Sequence, residues 1–405
     1  MTLMRGILNT FWSPRIWLPP NVTWEDLQPS KDTNYADYRH LLIPLGLAFG
    51  FLFLRYLLER FWFAPIGVSL GIRNTKPKKA PYNPILEKAY QTNGKIRYKQ
   101  VTALAKQLDM SERQVERWLR LRRSQDKPST LTKFCETGWR WVYYTYSFCY
   151  GVVCLWDKPW LWDINENWYG YPYQGLTWDC WWYYMSSLSF YWSLTMSHFF
   201  DVKRKDFWQM FIHHIATISL MSFSWVCNLH RIGTLVLLTH DCADAFLEAA
   251  KLAKYANYQK LCDALFVAFT LLWIVTRLGI FPFHIIYSTA ITAPKLVAMF
   301  PAYYIFNALL FLLLILHMFW TYVILKIAYK SLVAGKMEGD IRSSSSEELS
   351  EEEVLPREKA EGDSMKEDIL DGELPQTDGD NPLHSSEENT EEELTDTKPL
   401  KQKQF

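Results

Sequence analysis

Phe207-Trp-Gln-Met-Phe-Ile-His-His-Ile-Ala-Thr-Ile-Ser-Leu220 is an apolar run with two adjacent histidines at its centre. Extended to residue 227, it supplies the roughly 20 apolar residues that a helix needs to cross about 30 Å of hydrocarbon. Six further runs of this kind flank it, at approximately 41–62, 138–157, 181–200, 231–250, 262–284 and 302–326. The expected fold is therefore all-α: a polytopic membrane helical bundle of about seven spans. The first span carries Arg55, Glu59 and Arg60 near its end, where an Arg55–Glu59 pair at i,i+4 and snorkelling make the charges tolerable.

With 49% hydrophobic and 16% aromatic residues in 405, the chain is too apolar for a disordered protein. Its mean hydropathy near zero is a composite, because a polar tail and a basic insert dilute the apolar runs. Likewise the net charge of zero conceals two polymers: residues 338–405 hold 22 acidic and 7 basic groups, a net −15 against +15 for the rest. The seven cysteines show no C-x-x-C pair, so neither structural zinc nor a dense disulfide framework is indicated, and most read as packing residues.

Orientation follows from the basic connections. Asp201-Val-Lys-Arg-Lys-Asp206, residues 251–260 and 326–336 share one side with the insert at 63–137, also rich in Lys and Arg, and that side is the cytosolic one. Residues 1–40 and the loops 158–180 and 285–301 are then lumenal. Asn21-Val-Thr23 is a glycosylation acceptor on the side where it would be used. Met1 to Pro19 lacks the pattern of a cleavable signal peptide, which leaves targeting to the first span.

Within the insert, Met110-Ser-Glu-Arg-Gln-Val-Glu-Arg-Trp-Leu-Arg-Leu-Arg-Arg-Ser-Gln125 reads as a short basic helix, with Ser111 as N-cap, Gln114 three residues on, and Val115, Trp118 and Leu119 as its apolar stripe. It is similar to the recognition helix of a homeodomain, but Leu121 stands where the adenine-reading Asn belongs, so no specific DNA binding is expected. Residues 75–110 offer only a weak first helix. Solvated surface, or contact of Arg117, Arg120, Arg122 and Arg123 with lipid headgroups or anionic ligands, is the alternative use.

Ionisable groups inside a bilayer are costly and mark function. His213 and His214 lie on the fourth span, and His240, Asp241, Asp244 and Glu248 on the fifth. Adjacent residues project about 100° apart on a helix, so one His can face a cavity while the other braces it. Asp241 and Asp244, at i,i+3, share a face and are able to point at a His of the neighbouring span. Histidine with carboxylate partners suits a general base or a nucleophile; a hydrogen-bonded packing network is the structural alternative. A single His pair is too few for a di-iron site, so no metal is expected. Walker A, dinucleotide-binding, G-x-S-x-G and H-x-x-x-x-D patterns are all missing from the sequence.

Asp201-Val-Lys-Arg-Lys-Asp-Phe207, His213-His214, Ser222-Phe-Ser-Trp225, Arg231-Ile-Gly-Thr-Leu235, His240-Asp241 and Leu247-Glu-Ala-Ala-Lys251 together resemble the longevity-assurance motif of the ceramide synthases. Trp17-Leu-Pro-Pro-Asn-Val-Thr-Trp24, the insert, Gln125-Asp-Lys-Pro128, Leu188-Ser-Phe-Tyr-Trp-Ser193 and the acidic tail extend the resemblance, particularly to vertebrate members, over nearly the whole chain. It implies a TLC-domain N-acyltransferase of the endoplasmic reticulum membrane that joins a fatty acyl-CoA to a sphingoid base. Acyl-CoA is then a co-substrate and no cofactor is used. It also implies that His213, His214, Asp241 and Asp244 are required for activity, and that the chain dimerises with itself or related synthases. The implied organisation is 1–40 lumenal, 41–62 first span, 63–130 insert, 131–332 TLC domain and 333–405 cytosolic tail. Two departures stand out: Ala243 where a Ser usually precedes the second Asp, and Ser124 where the insert usually carries Asn.

A long-chain amine is largely protonated near neutral pH and must lose a proton before it attacks a thioester. Either His213 or His214 takes that proton with an Asp holding the imidazole, or a His attacks first and forms an acyl-imidazole. Lys203, Arg204 and Lys205 either attract the CoA phosphates, with His240 as a further substrate contact, or simply obey the positive-inside rule. Acyl length choice is associated with residues 284–301 through the resemblance. The tail from Ser343 is expected to be disordered, with Ser343, Ser344, Ser345, Ser346 and Ser350 resembling acidophilic-kinase sites. The rival functions are a lipid-sensing or lipid-trafficking TLC protein without chemistry, a membrane-tethered transcription regulator, and a channel or transporter.

Overall fold

The computed structural model describes residues 10–29, 33–72, 79–92, 96–126 and 128–334, and among them there are helices and turns but no strand. Each of the seven apolar runs carries a long helix. Three helical stretches are long and apolar enough to cross a membrane by length and composition: Tyr38–Ser69, Gln259–Leu296 and Pro301–Val333. We label the helices α1 (Leu42–Leu58), α2 (Pro84–Thr92), α3 (Tyr98–Leu108), α4 (Glu112–Asp126), α5 (Thr130–Leu155), α6 (Trp178–Ser197), α7 (Phe207–Val226), α8 (His230–Tyr255), α9 (Gln259–Trp273) and α10 (Pro301–Ala334).

Local chemistry sets the boundaries. Helix α5 begins about two turns before the apolar run at 138, because the Ser129 hydroxyl accepts from Thr132 N–H at 3.1 Å and caps it there. The α7–α8 and α8–α9 connections are tight turns in which Asn228 (φ 57°) and Asn257 (φ 62°) take the left-handed conformation. Asn228 also donates to the carbonyls of Pro172 and Gln174, at 2.7 and 2.8 Å, tying the α5–α6 connection to this corner. Helix α9 runs on through wide π-type turns, Ile274–Ile286 and Ser288–Thr292, where Pro282 cannot donate to the regular ladder.

Helix α8 is central: it packs on α5, on α9 and its π-type continuation, and on α6 and α7. Helix α10 closes the bundle against α7 and the continuation of α9, and α1 lies along α6. Gly233 on α8 lets Tyr184 of α6 come close; an added Cβ would stand 2.6 Å from the tyrosine oxygen.

The weak helix expected over 75–110 is two helices, α2 and α3, packed with α4 around Leu86, Val101, Ala105, Val115, Trp118 and Leu119. Helix α2 contributes a single fully buried residue, Leu86, while α3 carries Val101, Leu104, Ala105 and Leu108 at i, i+3, i+4 and i+7; Trp118, donating to Pro81 O at 2.6 Å, completes their burial. The α4 cap is as expected: Ser111 N–H donates to Gln114 Oε1 (2.8 Å) and Gln114 N–H to Ser111 Oγ (3.3 Å).

Candidate active site

Helices α5 to α10 enclose a cavity of about 180 Å3. His213 and His214 enter it from α7, His240, Asp244 and Glu248 from α8, Arg140 from α5, Arg277 from the α9 continuation, and His317 and Trp320 from α10. Six of the sequence-derived residues, His213, His214, Arg204, His240, Asp244 and Glu248, therefore share one chamber. His214 is buried, its ring 5.5 Å from that of His198, whereas His213 is half-buried, its ring 5.4 Å from that of Trp320. Both imidazoles line the cavity, so the turn of about 100° between them leaves neither facing wholly away from it.

The carboxylates do not go where the i,i+3 spacing suggested. Asp241 is buried and accepts from Ser147 Oγ of α5 at 2.6 Å, away from the cavity wall. Asp244 is held by Arg277, whose Nη2 lies 3.2 Å from Oδ2. The Nδ1 atoms of His213 and His214 are buried without a hydrogen-bond partner, so neither Asp holds an imidazole through that nitrogen. The physical reason is reach: each Asp meets a strong donor on a different neighbouring helix before it meets α7.

Arg277 organises this wall. It donates to the carbonyls of Thr239 (2.7 Å) and His240 (2.6 Å) as well as to Asp244, and lies over the Trp273 ring at 5.0 Å. His240 Nδ1–H donates to Val236 O at 2.6 Å, so its Nε2 accepts from His317 Nε2–H at 3.2 Å. Nearer the 201–206 connection, Glu136 and Glu248 flank Arg140 at 2.6 and 3.7 Å, and Lys251 adds a contact of 2.7 Å to Glu248. Arg204 lines this end and reaches Glu136 at 3.9 Å, while Lys203 and Lys205 are exposed and do not line the cavity. Arg55 forms its expected pair with Glu59 and a second one with Asp201, both at 2.7 Å, joining α1 to the same connection.

A second chamber, almost wholly apolar, continues beyond Tyr191 and His240, which line both. It is lined in part by Ala293, Val297, Met299 and Phe300 from the connection between the last two long helices and by Tyr303 in the first turn of α10.

Asn21 is exposed, and Thr23 beside it is bonded to Asp26 at 2.8 Å. Ser343, Ser344, Ser345, Ser346 and Ser350 lie outside the described residues. Sequence reasoning missed Arg140, Arg277 and His317, although each is an ionisable group within an apolar run. Of the cysteines, most of which read as packing residues, Cys154 and Cys180 are buried and meet each other.

A helical membrane protein with a polar chamber buried in its bundle is the class these observations define. The family model for the TLC domain matches residues 133–326, and the homeodomain model matches residues 83–128. Ceramide synthase 5 of Homo sapiens is 46% identical over 355 residues, covering 87% of this chain and 91% of that protein. Ceramide synthase 4 of Homo sapiens is 43% identical over 345 residues, 85% of this chain and 88% of that protein. Ceramide synthase 3 of Mus musculus is 42% identical over 334 residues, 82% of this chain and 87% of that protein. The chain belongs to the ceramide synthase family.

Proposed function

We propose that the chain acylates the amine of sphinganine or sphingosine with the fatty acyl group of an acyl-CoA, giving a (dihydro)ceramide, in the chamber built by α5 to α10. Membership of the family carries the activity. The observation that carries the site is that His213 and an ion-paired Asp244 line one buried cavity with an apolar extension behind it.

In this reading His213, the less buried imidazole, receives the amine proton, and His214 braces it from the α6 side. Asp244, fixed by Arg277, attracts the incoming ammonium and keeps it beside the imidazole until the proton has moved. Asp241 works through α8: its bond to Ser147 fixes that helix against α5. Both tails occupy apolar space, with the acyl chain in the second chamber, and the wall at 293–303 limits its length. The ionic end with Arg140 and Arg204 meets the CoA phosphates. Whether His213 acts as base or first forms an acyl-imidazole is read by intact mass after acyl-CoA alone: an added acyl mass establishes the covalent route.

The seven long helices are seven spans, with residues 1–40 and a glycan at Asn21 in the lumen of the endoplasmic reticulum. The insert at 63–130 and the tail at 333–405 face the cytosol, and the TLC domain occupies 131–332. The tail serines are phosphorylated by acidophilic kinases. Leu121 and the bonds of Arg122 to Glu87 and Asp126 leave the insert without a base-reading surface. The test is turnover: purified protein with sphinganine and acyl-CoAs of varied length gives amide product. Binding of both lipids without product would instead favour a lipid-sensing TLC protein.

A further inference from the structure

We infer that Cys154 and Cys180 are joined by a structural disulfide that staples the C-terminal end of α5 to the first turn of α6. Their sulfurs lie 3.6 Å apart, and the two residues are 3% and 1% exposed. A disulfide needs about 2.05 Å between sulfurs, a distance reached by rotating side chains already aimed at each other. The helices are firmly opposed at this level: one turn before Cys154, an added Cβ on Gly151 would stand 2.6 Å from the hydroxyl of Tyr183, one turn after Cys180.

The neighbouring Asp179 carboxylate lies close enough to make the trio a candidate metal site, all ligand atoms being within 4.8 Å of one another. Its oxygens are already engaged, one by Lys158 Nζ at 2.9 Å and the other by the Cys180 N–H at 2.9 Å. With a lysine ammonium on the carboxylate, a second cation there is repelled, and the sulfurs are left to each other.

The inference rests on the reading that the 158–180 connection faces the oxidising lumen. There, the thiolate of one cysteine attacks a disulfide-bearing oxidant, an oxidised dithiol protein, giving a mixed disulfide; the second cysteine displaces it. One S–S bond forms, one breaks, and two electrons and two protons leave on the oxidant as its dithiol. Since both sulfurs are buried in the finished bundle, the exchange precedes the closing of α5 onto α6. The staple then fixes the helix carrying Ser147 and Arg140 to the one carrying Tyr191.

The test uses the full chain in membranes. Free thiols are blocked under denaturing conditions without reductant, the sample is reduced, and newly released thiols are counted by mass. Two of the seven cysteines should appear, on the peptides holding Cys154 and Cys180, and none in C154S or C180S. Reduction should lower the Tm of the wild type by on the order of 5–10 °C and leave that of C154S unchanged. The glycan on Asn21 is scored in the same sample. No released thiols in glycosylated protein would overturn the cross-link while the lumenal reading stands; no released thiols in unglycosylated protein would overturn both. Seven blocked thiols with zinc retained by the native wild type would overturn it in favour of a metal site.

Discussion

The insert and the bundle solve opposite problems with the same residue types. In α2 to α4, an apolar cluster centred on Trp118 is inside and the charges are outside, so that Arg122 pairs with Glu87 and Asp126 at the surface. In the bundle, Phe49, Phe53, Phe61 and Trp62 are well exposed, while Glu136, Asp241, Glu248, Lys251 and Arg277 are buried. An exposed ion pair contributes at most about 1 kcal/mol, whereas removing one member of a buried pair costs about 3–5 kcal/mol. Charge in the insert decorates a fold, and charge in the bundle is turned inward, much of it onto a buried cavity.

The sharpest challenge to this contrast is Asp244→Asn, which keeps the shape and removes the charge. Arg277 retains its carbonyl partners, so the fold should persist, while amide formation should fall by roughly 10²- to 10⁴-fold; activity near that of wild type would make Asp244 structural. Next is Arg277→Ala, which removes the ion pair to Asp244 together with the bonds to the Thr239 and His240 carbonyls and should cost about 3–5 kcal/mol, read as a lowered midpoint of thermal inactivation in detergent. An unchanged midpoint would show that water already screens this wall.

In the insert the controlling term is apolar. Trp118→Ala should cost about 3–5 kcal/mol locally, with hydrogen exchange rising across α2 to α4 and unchanged in α5 to α10. Loss of protection in the bundle as well would break the separation between the two regions. Arg122→Ala should shift exchange least, by less than about 1 kcal/mol. The Arg122 guanidinium, helped by Gln91, holds the Glu87 carboxyl below its ordinary value. A lowered folded value means that the contribution of Glu87 is complete at neutral pH and is lost as pH falls through that value. Exchange of α2 in the full chain should therefore rise only under acid, and a change near neutrality would contradict the assignment.

Much of this was legible in the sequence, because apolar period and length are local properties: every expected run holds a long helix, and the Ser111–Gln114 and Arg55–Glu59 pairs form as spaced. What escaped depends on which helices become neighbours. Asp241 and Asp244 do share a helix face, yet Ser147 lies 94 residues from the first and Arg277 lies 33 from the second, and no local pattern links them. Arg140, Arg277 and His317 are a different case, since the rule that singled out His213, an ionisable group in an apolar run, applies equally to them. Helix α2 leaves little local signal, since its one fully buried residue, Leu86, packs against residues of the other two helices, whereas α3 carries Val101, Leu104, Ala105 and Leu108 at the helical period and was legible in the sequence.

The central claim is that the half-buried His213, with Asp244 in the same chamber, carries the acyl transfer. Its most direct test follows amide product from sphinganine and a panel of acyl-CoAs, with wild type and His213→Ala purified side by side and matched in thermal midpoint. The account predicts product from the wild type with a defined chain-length preference and a loss of at least about 10³-fold in the variant. Comparable product from a folded His213→Ala would contradict it.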